Sequence, residues 1–136
     1  MRKFGEDFAK SLKGGEVIEL VGDVGAGKTT FAKGLARGLK IEEEVQSPTF
    51  TLSRVYEVPE NSRNLETLTH YDFYRLNDAG IMKMELAESL ENPRNITLVE
   101  WAESVGETFA ELPDFAKKIT VKIDYLAEDG REVLVS

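Results

Sequence analysis

The sequence predicts an α/β protein with its chemistry at the end of a strand. Three observations lead there. A short apolar run rich in branched residues, Glu16–Val21, passes through a glycine-rich loop into an amphipathic helix over residues 28–39. Further apolar runs at 46–58, 65–76 and 96–101 alternate with helical patterns and polar turns. The last stretch reads as a hairpin, residues 118–126 and 131–135 around Glu128-Asp129-Gly130.

Each element has a local cause. Phe4, Phe8 and Leu12 recur four residues apart with Ala9 alongside, a helical stripe that Gly14-Gly15 should stop. In the helix over 28–39, Phe31, Leu35 and Leu39 share one side, and Ala32 and Ala36 form a slim flank suited to a sheet. Ser47-Pro48 opens the strand over 46–58. A polar turn, Glu60-Asn61-Ser62-Arg63-Asn64, precedes the return strand over 65–76, so an antiparallel pair is expected. A weaker helix is expected over 78–90, with Met82, Leu86 and Leu90 on one face. Asn92-Pro93-Arg94-Asn95 is a turn, and a short helix over 102–112 should end at Pro113. With no repeat, low-complexity tract or linker, residues 1–136 read as one domain.

Composition narrows the function. The 136 residues are 41% hydrophobic and 31% charged, as in a soluble globular protein. Lys and Arg total 17 against 25 Asp and Glu, a formal charge of −8. That balance opposes tight unaided binding to nucleic acid or to anionic membrane surfaces, both of which rely on basic residues. Without cysteine there is no disulfide framework, thiol catalysis or zinc ribbon. No apolar stretch approaches the ~20 residues that span a bilayer. Residues 1–12 are charged and amphipathic, unlike a signal peptide, so the cytoplasm is the expected location.

The sharpest signal is Gly22-Asp23-Val24-Gly25-Ala26-Gly27-Lys28-Thr29, which matches the Walker A pattern G-x-x-x-x-G-K-[ST]. Triphosphate oxygens concentrate negative charge in a small volume. Backbone N–H groups surround them only where the chain curls tightly, and Gly22, Gly25 and Gly27 permit that curl. The helix beginning near Lys28 directs its positive dipole end at the same anion. Lys28 adds a mobile cation, and the Thr29 hydroxyl is placed to ligate Mg²⁺. The cradle therefore runs over Gly22, Asp23, Gly25, Ala26, Gly27, Lys28, Thr29 and Thr30, with the Asp23 carboxylate turned away from the phosphates. An ordinary glycine turn before a lysine is the bland alternative; a strand before the loop and an amphipathic helix after it argue against that.

Mg²⁺ also needs an acidic partner, and hydrolysis needs an oriented water. Two acids end apolar runs: Asp72 in Leu68-Thr69-His70-Tyr71-Asp72, and Glu100 in Ile96-Thr97-Leu98-Val99-Glu100. Against a metal role, Glu100 reads as a solvent-facing strand end and Asp72 as a partner of Arg75 or His70. His70 is the single histidine, and a lone strand histidine reads as structural, since phosphoryl transfer to water does not require one. Trp101 suits either the core or a wall of the nucleotide pocket.

Together with the loop and its following Thr30-Phe31, the blocks Ser47-Pro48-Thr49-Phe50, His70-x-Asp72-x-Tyr74-Arg75-Leu76 and Val99-Glu100-Trp101 stand in an order and spacing that resembles the TsaE (YjeE) family over nearly the whole chain. The resemblance implies a three-layer P-loop NTPase-like fold with a mixed parallel and antiparallel sheet. It implies ATP and Mg²⁺ as cofactors, and slow ATP hydrolysis that becomes productive with the proteins TsaD and TsaB. Those partners install threonylcarbamoyl on the adenosine beside the anticodon of tRNAs reading codons that start with A. By the same resemblance Thr29 and Glu100 hold Mg²⁺, Thr49 is a switch residue near the γ-phosphate, Asp72 lies beside metal or water, and Trp101 borders the site. The tRNA is then held mainly by the partners. The competing readings are a small-molecule P-loop kinase, a GTPase switch and a non-hydrolysing nucleotide-binding module. A kinase needs an acceptor site and an arginine-rich lid for which the chain has little room. A guanine-reading Asn-Lys-x-Asp motif does not occur.

Overall fold

The computed structural model describes residues 2–22, 27–43, 53–61, 63–72, 88–100, 117–125 and 131–135. In chain order the elements are α1 (Arg2–Ala9), β1 (Glu16–Val21), α2 (Lys28–Gly38), β2 (Ser53–Glu57), β3 (Thr67–Asp72), β4 (Asn95–Glu100), β5 (Lys117–Tyr125) and β6 (Arg131–Val135). Residues 88–90 are helical, at the end of the helix expected over 78–90. The rest of that helix, the one expected over 102–112, the start of the strand expected over 46–58 and the turn at 128–130 lie outside the described residues.

The strands form one six-stranded sheet in the order β2-β3-β4-β1-β5-β6. β3, β4, β1 and β5 run parallel, and β2 and β6 are antiparallel edges paired to β3 and β5. Both expected antiparallel pairs are therefore present, one at each edge. The two central strands, β4 and β1, carry the most continuous apolar runs because residues on both of their faces are buried. Every residue of β4 is buried, as are Val17, Ile18 and Leu20 of β1.

α1 and α2 cover one face. Phe31, Leu35, Ala32 and Ala36 of α2 join Ile18, Leu20, Leu68, Ile96, Leu98, Val121 and Ile123 in a single apolar core. Phe4 and Phe8 of α1 pack their rings against Phe31. The two helices touch almost backbone to backbone. A Cβ on Gly34 would run into the Arg2 carbonyl oxygen, and one on Gly5 would lie 2.5 Å from that of Phe31. The alanines thus serve the sheet contact the sequence suggests, while glycines set the distance between helices.

α1 ends at Ala9, short of the Leu12 that its apolar stripe includes. The next amides reach three residues back: Lys10 N–H to Asp7, Ser11 to Phe8 and Leu12 to Ala9. The Ser11 hydroxyl also donates to the Phe8 carbonyl at 2.7 Å, competing with a regular last turn. Leu12 remains fully buried, so the stripe reports burial beyond the helix. Arg63, from the polar turn between β2 and β3, donates to the Ala9 and Leu12 carbonyl oxygens at 2.8 Å each and closes the open helix end. Gly14, at φ 118°, then turns the chain into β1; its missing Cβ is what admits the Pro93 carbonyl oxygen. The buried Glu16 carboxylate accepts from the Lys13 and Gly14 amides and fixes this turn.

Candidate functional site

The site is assembled where β1 ends. The chain leaves the centre of the sheet at Gly22 (φ 155°) and enters α2 through Gly27, whose φ of 107° is left-handed. Gly27 is the N-cap and supplies no side-chain cap. The first helix bond runs from the Phe31 amide to the Gly27 carbonyl at 2.9 Å. The amides of Lys28, Thr29 and Thr30 precede that bond and have no intrahelical acceptor. The first turn carries no acidic residue, Lys28 is half-buried, and Thr29 and Thr30 are exposed. A helix end of this kind can bind an anion.

The neighbouring strands bring acids to the same edge. Glu100 is in register with Leu20 of β1 and with Asp72 of β3, so the carboxyl ends of β1, β4 and β3 lie side by side. Register partners share a sheet face. Leu98 pairs with both Ile18 and His70, which places His70 and Glu100 on the face that α2 covers.

Glu100 is 8% exposed, not the solvent-facing strand end of the bland reading. A carboxylate at that depth is costly unless something pairs with it. His70, 1% exposed, brings its Nε2 to 3.2 Å from Glu100 Oε1. Sequence reading missed this contact; it set His70 beside Asp72 or left it in the core. The available signal was spacing. Residues 70 and 72 share a strand face, and the other acid ends the adjacent apolar run, but strand adjacency is not written in the sequence. Asp72 is placed by its backbone opposite Glu100. Asp23, Gly25, Ala26, Thr49 and Trp101 lie outside the described residues.

Of the described residues, Glu100 could hold a metal ion and the N-terminus of α2 an anion. Among the described residues no three His, Cys, Asp or Glu side chains gather as ligands. Mg²⁺ commonly takes one or two carboxylates plus phosphate and water oxygens. Two surface hollows border β3, one at its start against Arg94 and one along Thr67, Thr69 and Tyr71 against Asn95. Asn95 there accepts from the Thr67 and Thr69 hydroxyls and donates to Thr97, a satisfied network that ties β3 to β4.

A central parallel strand that ends at Gly22, followed from Gly27 by a helix with no side-chain cap, within a mixed sheet, marks an α/β protein of the P-loop NTPase-like class. The fold of the crystal structure of Bacillus subtilis YdiB is similar, with a TM-score of 0.66 at 32% identity, covering 97% of this chain and 74% of that one. The chain belongs to the TsaE family: residues 1–133 match the family model described as threonylcarbamoyl adenosine biosynthesis protein TsaE. Relatives named tRNA threonylcarbamoyladenosine biosynthesis protein TsaE occur in Treponema pallidum (37% identical over 134 residues, 98% of this chain and 91% of the relative). Others are those of Aquifex aeolicus (38% over 135 residues, 98% and 86%) and Bacillus subtilis (38% over 125 residues, 92% and 72%). No helix among the described residues is long and apolar enough to cross a membrane.

Proposed function

We propose that residues 1–136 form one Mg²⁺-dependent ATPase domain that hydrolyses ATP slowly and works in the cytoplasm with TsaD and TsaB. The assembly would threonylcarbamoylate the adenosine beside the anticodon of tRNAs reading codons that start with A. One observation carries the reading: an uncapped helix N-terminus at Gly27 stands one strand away from a buried carboxylate at Glu100. An anion at that helix end and a cation at that carboxylate are the two halves of a metal–nucleotide complex.

The amides of the loop over Gly22, Asp23, Gly25, Ala26 and Gly27, with those of Lys28, Thr29 and Thr30, cradle the phosphates. Lys28 contributes charge that follows the β and γ oxygens. The Thr29 hydroxyl and Glu100 carboxylate hold Mg²⁺, which when bound neutralises charge developing on the transferred phosphoryl group. Thr49 senses the third phosphate, Asp72 orients water or metal, and Trp101 walls the nucleotide. With a net charge of −8, this chain leaves tRNA binding to its partners.

The test is phosphate release from ATP by wild type and Glu100→Ala, with and without TsaD and TsaB. Release that rises with the partners and collapses in the variant is expected. No release under any condition, or a phosphorylated small molecule as product, would refute the reading.

A further inference from the structure

A phosphate loop with an acid on the next strand has no need of a histidine on the strand beyond, yet His70 is buried there with its Nε2 on Glu100. A carboxylate oxygen only accepts, so Nε2 carries the hydrogen of this bond. The contact runs diagonally across strands: His70 stands opposite Leu98 and Asp72 opposite Glu100, so the ring reaches toward the carboxyl edge. The other ring nitrogen, Nδ1, is buried and has no hydrogen-bond partner among the described residues. A histidine serving the core alone gains little from this arrangement, because its ring nitrogen is committed to a buried acid at the carboxyl edge of the sheet. The geometry points to His70 as a positioning residue: by occupying Oε1 it fixes the Glu100 carboxyl plane and leaves Oε2 for the cation. This rests on the Mg²⁺-nucleotide reading above.

Hydrogen bonds from outer residues to a ligating carboxylate set its orientation, and their loss commonly lowers metal affinity about 10- to 100-fold. Glutamine places its amide nitrogen near the position of Nε2, whereas asparagine is too short to reach Oε1 and leucine has no donor. The experiment titrates Mg²⁺ into the full chain with a fluorescent ATP analogue and follows nucleotide binding, with a parallel series in a chelator. Wild type, His70→Gln, His70→Asn and His70→Leu should bind nucleotide alike without Mg²⁺. The Mg²⁺ midpoint should rise about tenfold or more in His70→Leu and His70→Asn. It should return close to the wild-type value in His70→Gln. A merely structural histidine would lower melting temperatures and leave the Mg²⁺ midpoint where it was; that result, read from His70→Asn should His70→Leu fail to fold, overturns the assignment, as does a failure of His70→Gln to rescue. A wild type whose nucleotide binding ignores Mg²⁺ overturns the underlying reading as well, so the two failures are distinguishable.

Discussion

Under the proposed function Glu100 and Lys28 face different demands. Lys28 is half-buried at the first position of α2, and under the proposed function its charge would act on bound phosphates. Lys28→Ala should therefore leave the fold intact and remove most of the stabilisation given by Mg-ATP. At about 100 times Kd that stabilisation is roughly 2.7 kcal/mol in wild type. Thermal unfolding with and without nucleotide measures it, and a full shift in the variant would refute the phosphate role. Glu100 is different because it is buried and bonded. Glu100→Gln keeps an acceptor for His70 and removes the charge, so melting should stay within a few degrees of wild type while Mg²⁺-dependent phosphate release is lost. Gly27 was legible as a member of its motif; its left-handed φ is the reason no other residue serves there at low cost.

At the scale of elements, the packing of α1 on α2 sets where α2 sits on the sheet. Its closeness depends on glycines that no apolar periodicity marks, because a glycine looks like a weak point in a helix until the partner helix is known. Gly34→Ala would drive a methyl into the Arg2 carbonyl oxygen. The helices must then separate, at a cost of about 1–3 kcal/mol. A lowered urea midpoint with an unchanged slope would report it. Arg63 was read only as part of a polar turn. Its two bonds to carbonyls at the end of α1 join residues more than fifty positions apart. Arg63→Ala should cost about 1.5–3 kcal/mol, the worth of hydrogen bonds to a charged group, by the same unfolding measurement. A variant as stable as wild type would make the contact incidental.

For the molecule as a whole, the mixed sheet decides the function available to it. Four parallel strands place the carboxyl ends of β3, β4 and β1 at one edge, where loops can gather around a ligand, and the antiparallel β2 and β6 close the two sides. The sequence by itself determined the strand–loop–helix around Gly22 to Lys28, the two antiparallel pairs, and the two candidate acids, Asp72 and Glu100. These are local matters: glycine freedom, side-chain period and turn chemistry act within a dozen residues. Only the tertiary structure decided that β4 lies between β3 and β1, that His70 meets Glu100, and that glycines let α1 rest on α2. Each of these joins segments far apart in the chain, and their pairing is chosen by the burial of whole faces together.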